Sequence, residues 1–233
     1  MYDKAQSLIY DKIHFNKDYE FEANFLRELI SENKKFNTIL DVGCGSGRHV
    51  QNLRSFGFSV TGVDPSSHMI DMAASNLGSY DDLICGYASD VTGKYDAIIS
   101  MFNVVNHILD ERSLFLFFSE VMSKLNDESL LIFDCFNYDA YINIPPKLVT
   151  KTFADNSVLS IVPEIDGDEL TMMCKYDSYD VQVEYPILHK IWKKDYILDL
   201  LTDLSDVVVY KNFTKTIVSS VDYKRMVVAR NTI

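Results

Sequence analysis

The chain contains no uninterrupted apolar run long enough to span a bilayer, so a membrane partner is not expected. Its opening residues, M-Y-D-K-A-Q-S, lack the basic segment and apolar core of a secretion signal, and a cytoplasmic protein is the expectation. Basic residues are outnumbered: 22 Lys and Arg stand against 34 Asp and Glu, a net charge of −12. A surface this acidic repels phosphate backbones, which argues against DNA or RNA as a partner. Cysteine is sparse. Cys44, Cys85, Cys135 and Cys174 are widely spaced with no C-x-x-C pair, so reduced, buried thiols are expected and no metal site is assigned. Internal repeats, low-complexity tracts and linkers are absent as well. What remains is an ordinary globular composition, 47% hydrophobic and 24% charged. The 233 residues suit one large domain or one domain with a sizeable insertion.

The most informative stretch runs from Thr38 to His49, T-I-L-D-V-G-C-G-S-G-R-H. Thr38 to Val42 reads as a buried parallel strand. Gly43, Gly45 and Gly47 follow at once, and a helical stretch from Arg48 to Phe56 follows them. A strand feeding a glycine-rich turn that opens a helix is a cradle for a nucleotide-like cofactor. Glycine lets the backbone approach a ligand that a Cβ would repel, and the N–H groups at the helix start attract electron-rich atoms. The spacing is G-x-G-x-G, whereas a dinucleotide site asks for G-x-G-x-x-G. Asp41 also stands two residues before the first glycine. A carboxylate there attracts an ammonium group and repels a pyrophosphate.

The pattern continues one β–α–β unit further. Phe58 to Val63 reads as a second strand with Asp64 at its end, placed to accept both hydroxyls of a ribose. Ser66 or Ser67 caps the next helix and Gly78 ends it. Met69, one turn into that helix, either faces an adenine or packs in the core. Leu83 to Gly86 reads as the third strand and Tyr95 to Met101 as the fourth, near-continuously apolar. Asp110 caps a helix to about Leu125, Asn126 and Asp127 make a turn, and Leu130 to Asp134 is the fifth strand. Ahead of all this, residues 1–17 look irregular, and Asp18 caps a helix to about Asn33 with Phe21, Phe25, Leu26, Leu29 and Ile30 on one face. Between Asn137 and Trp192 four β-rich segments appear, near Val149–Phe153, Val158–Val162, Leu170–Tyr176 and Val181–Trp192. Lys194 to Leu204 reads as a helix, and Val207–Tyr210 and Arg225–Ala229 as the last two strands.

With these residues assembled, the chain resembles the class I S-adenosylmethionine (SAM)-dependent methyltransferases over nearly its whole length. The seven-residue stretch D-V-G-C-G-S-G with Asp64 carries that resemblance. It implies an α/β fold: a seven-stranded, Rossmann-like, mostly parallel sheet whose last strand is antiparallel, with a small antiparallel β insertion before strand six. Residues 1–136 and 193–233 would form the SAM-binding core and 137–192 a substrate cap. Within the superfamily the chain looks most like the small amino-sugar N,N-dimethyltransferases of the desosamine and mycaminose type. That likeness rests on Y-D-x-x-H (Tyr10, Asp11, His14), K-D-Y (Lys17, Asp18, Tyr19), M-F-x-x-x-x-H (Met101, Phe102, His107) and the β-rich insertion.

The resemblance implies a set of site residues. Tyr19, Asp41, Gly43, Cys44, Gly45, Asp64, Pro65, Met69 and Met101 would border SAM. Asp90 either holds the adenine amino group or is a loop acid, because Tyr87 stands where the family carries aspartate. Tyr10 and His107 would border the acceptor, with His107 either a base or a wall of the pocket. The acceptor implied is a small molecule, an amino sugar or similar metabolite nitrogen, in the closest relatives a nucleotide-linked sugar. The insertion carries no recognisable basic cluster for a nucleotide. The D/N-P-P-Y/F tetrad of amino-methylating nucleic-acid enzymes is absent. The alternatives are an O-methyltransferase acting on a sugar, a polysaccharide precursor or another small metabolite, and a non-catalytic SAM-binding partner subunit.

Overall fold

The computed structural model describes residues 4–14, 17–32, 35–143, 147–219 and 222–231. In chain order the core contains α1 (Lys4–Ile13), α2 (Tyr19–Ser31), β1 (Thr38–Val42), α3 (Arg48–Ser55), β2 (Ser59–Asp64), α4 (Ser67–Leu77), β3 (Leu83–Cys85), β4 (Tyr95–Ser100), α5 (Glu111–Met122) and β5 (Leu125–Phe136). Next come α6 (Tyr138–Asn143), β6 (Val149–Thr152), β7 (Val158–Asp166), β8 (Glu169–Asp177) and β9 (Gln182–Lys190). The described chain closes with α7 (Lys194–Asp199), β10 (Ser205–Lys211) and β11 (Lys224–Arg230). No described helix is long and apolar enough to cross a membrane.

Seven strands form one sheet in the order β10-β11-β5-β4-β1-β2-β3. β1 pairs in parallel with β2 and β4, and β11 runs antiparallel between β5 and β10. Successive residues of the central strands alternate between two buried faces. Leu40, Ile98, Leu131 and Val227 pack on one side with α5 and α7; Ile39, Ile99, Ile132 and Val228 pack on the other with α2, α3 and α4. Parallel strands bring their carboxyl ends to one edge, where such sheets bind ligands. Val42, Asp64, Cys85 and Ser100 end there together.

Several expectations need correction. The first seventeen residues are not irregular where described: residues 4–13 are helical. Ile9 and Ile13 pack on Leu159, Cys174, Tyr176 and Tyr185 of the insertion, and Lys12 Nζ reaches Asp155 at 2.8 Å and Ser157 at 2.9 Å. The helix is fixed by a partner more than a hundred residues away in sequence. Asp18 does cap α2, accepting from the Phe21 N–H at 2.9 Å. Phe21 itself is 55% exposed. It stands five residues from Leu26, about 140° round the helix from the buried stripe. The helix ends at Ser31, and Asn33 lies outside the described residues. The expected turn at Asn126–Asp127 is a bulge inside one long strand: β4–β5 register jumps from Tyr95↔Leu125 to Ala97↔Leu130, with Glu128 at φ +57°. α5 accordingly stops at Met122. The helix expected over Lys194–Leu204 ends at Asp199, with Ile197 and Leu201 buried.

The insertion forms its own antiparallel sheet, β6-β7-β8-β9. It is tied to the turn after β4. Fully buried Asn106 donates to the Lys190 carbonyl at 2.7 Å and accepts from the Phe136 N–H at 2.9 Å. Trp192 Nε1 donates to the Val105 carbonyl at 3.0 Å. Buried Arg225 donates to the Trp192 carbonyl and to Cys135 Sγ. Replacing Asn106 with Ala strands one buried donor and one buried acceptor, at about 1–3 kcal/mol each. Urea unfolding of Asn106→Ala is expected to show a loss of about 2–4 kcal/mol.

Candidate functional site

At the carboxyl edge of the sheet lies a cavity of about 760 Å³. Its floor is the glycine loop. Gly43, Gly45 and Gly47 sit at φ +76°, +52° and +74°, the left-handed region that disfavours side chains. A Cβ on Gly43 would lie 2.5 Å from Val104 Cγ2. The loop is strapped to the second strand: the Gly43 and Cys44 N–H groups donate to the Val63 carbonyl at 2.8 and 3.1 Å. The Gly45 N–H donates to Asp64 Oδ2 at 3.0 Å, and the Ser66 N–H to Oδ1 at 2.9 Å. Burial pushes the Asp64 carboxyl up from its ordinary pKa, and these two backbone donors pull it back down.

All the sequence-predicted site residues line this cavity except Asp41 and Asp90. Asp41 lies behind it, 1% exposed, with Oδ2 buried and lacking a hydrogen-bond partner. Burial raises its pKa to about 7; the Asp64 charge adds to the rise and His49 opposes it. Asp90 turns away. Its Oδ2 accepts the Tyr87 N–H at 2.8 Å, closing the short turn Ala88–Asp90, and a Cβ on Gly86 would come within 2.5 Å of it. The wall there is Gly86, Tyr87, Ala88 and Ser89, and Asp90 is not part of it. Met69, in turn, is both a cavity wall and buried.

The opposite end is built by the turn after β4. Phe102 and Asn103 are consecutive non-glycine residues at φ +75° and +61°. The fully buried Asp134 accepts the Asn103 N–H at 2.5 Å and has Lys224 Nζ 3.7 Å from its other oxygen. Phe102 is packed edge-on by His14 at 4.2 Å, with Lys17 Nζ 4.1 Å and Lys224 Nζ 4.9 Å from its ring centroid. His14 in turn meets Tyr10 at 4.4 Å, and the Tyr10 hydroxyl closes over Gly45. Tyr19 packs against His49, whose Nε2 lies 3.0 Å from Glu22, and Glu22 also accepts from Lys17.

His107 ends the turn Val104–His107. Its ring is reached by solvent through the cavity yet surrounded by protein, and this burial lowers its pKa to about 4. The His189 ring of β9 lies 4.5 Å away and is lowered to about 2, mainly by its own burial. Sequence reasoning missed Gln6, His49, Phe117 and the β9 stretch Pro186–Leu188 as cavity walls. His49 stands two residues past the last glycine, inside the motif itself. Nothing local marks Pro186–Leu188.

The residues fit an adenosyl sulfonium. A glycine-rich cradle meets the carboxylate at the end of β2, and beside them a buried carboxylate oxygen lacks a donor. Similarity points the same way. Residues 39–128 match the Methyltransferase domain family. A glycine/sarcosine/dimethylglycine N-methyltransferase of Actinopolyspora halophila is 27% identical over 216 residues, 88% of this chain; the chain spans only 38% of that relative's length. An SAM-dependent methyltransferase from Clostridium acetobutylicum superposes with a TM-score of 0.82 at 22% identity, covering 96% of each chain. A sugar N-methyltransferase from Streptoalloteichus gives 0.83 at 16% identity, covering all of this chain and 96% of the other. At these identities the two structures speak for the fold.

Gly43→Ala is expected to cost about 2–4 kcal/mol, combining a left-handed backbone penalty with overpacking. Adding Val104→Ala should return the packing part, about 1–2 kcal/mol, and leave the backbone part. Chemical unfolding of the single and double variants measures both.

Proposed function

We propose that the chain is a class I SAM-dependent methyltransferase and that it methylates the nitrogen of a small-molecule amine, of amino-sugar or similar type. The observation that carries this reading is the imidazole at the acceptor end. A general base works best with a pKa near the operating pH. The surrounding protein lowers the pKa of His107 to about 4, below that optimum. A hydroxyl acceptor needs a strong base there. An amine needs none once it arrives neutral, and an apolar pocket favours that neutral form. The name of the Actinopolyspora halophila relative, a glycine/sarcosine/dimethylglycine N-methyltransferase, specifies nitrogen.

When bound, SAM supplies a methyl group already activated by its sulfonium. The chain's own residues then bind, orient and exclude water. In this reading Asp64 takes the ribose hydroxyls with its remaining lone pairs. Asp41 answers the methionyl ammonium, directly or through water. Pro65, Met69 and the 86–89 turn flank the base. Cys44, Tyr19 and Met101 close on the methionyl end, and residues 137–192 act as the cap. Neutral His107 accepts a hydrogen bond from the amine N–H and Tyr10 orients it, aiming the nitrogen lone pair at the methyl carbon. Alignment of this kind is worth about 7–11 kcal/mol of barrier.

Incubating the protein with SAM and matched panels of amines and alcohols, with product mass spectrometry, tests the reading: methylation is expected on nitrogen. His107→Gln should keep kcat/KM within about tenfold, since an amide can still accept the hydrogen bond. A loss beyond about a thousandfold, together with a vanished pH limb, would make His107 the base and return the reading to oxygen.

Asp41 generates a proton-linkage prediction. Its folded pKa, about 7, lies above its ordinary value of 3.8. Burial of this group therefore costs stability increasingly as pH rises from about 4 to about 7, and a bound cation removes that cost. SAM affinity should fall by up to about tenfold per pH unit from 7 down to 5, with release of up to about one proton at pH 6. Calorimetry in buffers of different ionisation enthalpy measures the proton, and Asp41→Asn should abolish its release.

A further inference from the structure

Asp90 is folded back onto the Tyr87 N–H, so the turn that walls the base end of the cavity offers it no carboxylate. The exocyclic amino group of an adenine brings two N–H donors, and donors taken out of water without acceptors are costly. The nearest element able to supply an acceptor is α5.

α5 packs directly on this turn. Ala88 and Val91 share a core cluster with Leu114, Phe118 and Val121 of the helix. Lys124, just past the helix, donates from Nζ to the Val91 carbonyl at 2.6 Å. The α5 residues that line the cavity are Ser113, Leu116, Phe117 and Glu120. They recur at helical spacing, so one face of the helix supplies this wall. Lys124 continues the same series. It follows Glu120 by four residues, about 6 Å along the axis, and the backbone stays helical through Ser123. Glu120 therefore stands about one helical turn from the clamp that holds the end of the Ala88–Asp90 turn.

Among the described residues lining the cavity, Asp64 and Glu120 are the two acids. Asp64 already holds the Gly45 and Ser66 N–H groups. Glu120 is half-buried, and its carboxylate makes no ion pair or hydrogen bond with a described side chain; only its backbone carbonyl is engaged, by Ser123. Lys124 is committed to Val91, and Ser113 to Asp110 at the helix cap. An ionised carboxylate only accepts hydrogen bonds, and it binds an N–H roughly twice as strongly as a neutral oxygen does.

Resting on the reading that SAM is the cofactor, we propose that Glu120 accepts the 6-amino group of the adenine and makes the site selective for a 6-aminopurine. Base recognition then comes from α5, while the 86–89 turn supplies shape. The competing acceptor is the Ser89 hydroxyl on the turn itself.

The test compares two ligands in a calorimeter: S-adenosylhomocysteine and its analogue with hydrogen in place of the 6-amino group. The parent protein is expected to bind the amino compound at least about tenfold more tightly. In Glu120→Ala the preference should fall below about twofold, because the bond is missing whichever ligand is bound. Glu120→Gln keeps a neutral acceptor and should retain an intermediate preference, about three- to tenfold. Ser89→Ala should leave the parent's preference intact. If Glu120→Ala weakens both ligands alike and keeps their ratio, Glu120 only supports the wall and the assignment is overturned. Loss of the preference in Ser89→Ala but not in Glu120→Ala gives the amino group to the turn and overturns it too. Equal binding of the two ligands by the parent overturns the assignment and leaves SAM as the cofactor. No heat from either ligand overturns the SAM reading and this assignment with it.

Discussion

One carboxylate holds the cofactor end together. Asp64 leaves the sheet at the end of β2 and accepts one N–H from the glycine loop after β1 and one from the start of α4. Three consecutive pieces of chain thus share a single anchor. Each bond is charge-assisted and partly shielded from water, the setting in which hydrogen bonds are strongest. The rest of the loop's restraint is backbone as well, chiefly the Gly43 and Cys44 N–H groups on the Val63 carbonyl, because its glycines carry no side chains to pack. Removing that anchor frees the cradle before it removes any contact to a ligand. A second carboxylate, Asp41, stands nearby, and its raised pKa reflects its burial first and the Asp64 charge second. Two buried acids side by side are poorly stable alone and well suited to a cationic guest.

Much of this was legible from sequence because it is local. A parallel strand buried on both faces announces itself as an apolar run, and a glycine triplet between such a run and a helix has few other uses. The cap residues Asp18, Ser66 and Asp110 act within three residues of themselves, and all three make the expected bonds. The four β-rich segments of the insertion pair as a sheet because their turns are marked by Asp, Asn and Gly.

What escaped the sequence is whatever depends on distant partners. α1 has a modest stripe, Ile9 and Ile13, which gains meaning once the insertion sheet supplies a surface. Asp90 looked free to reach a ligand; it folds back because Gly86 leaves room for it. The bulge in β5 hides inside a stretch whose Asn and Asp suggest a turn, and only the register against β4 reveals that the strand resumes. The cavity walls from β9 carry no local signature, since Pro186–Leu188 reads as any edge strand until His189 is found against His107.

The two ends of the cavity are organised by opposite means. At the cofactor end glycine makes unusual backbone angles cheap. At the acceptor end Phe102 and Asn103 take such angles without glycine, at about 1–3 kcal/mol each. That strain persists because a fully buried carboxylate, Asp134, grips the Asn103 amide, while Lys224 approaches its other oxygen and stands over the Phe102 ring. A glycine at either position would relieve the strain, but a glycine at 102 would also remove the ring that walls the cavity. The turn therefore trades stability for a side chain held at a fixed place, and the same turn delivers His107 four residues after Asn103. The proposed methyl transfer would ask for that trade: its barrier is sensitive to alignment over fractions of an ångström, and a wall that can relax cannot align.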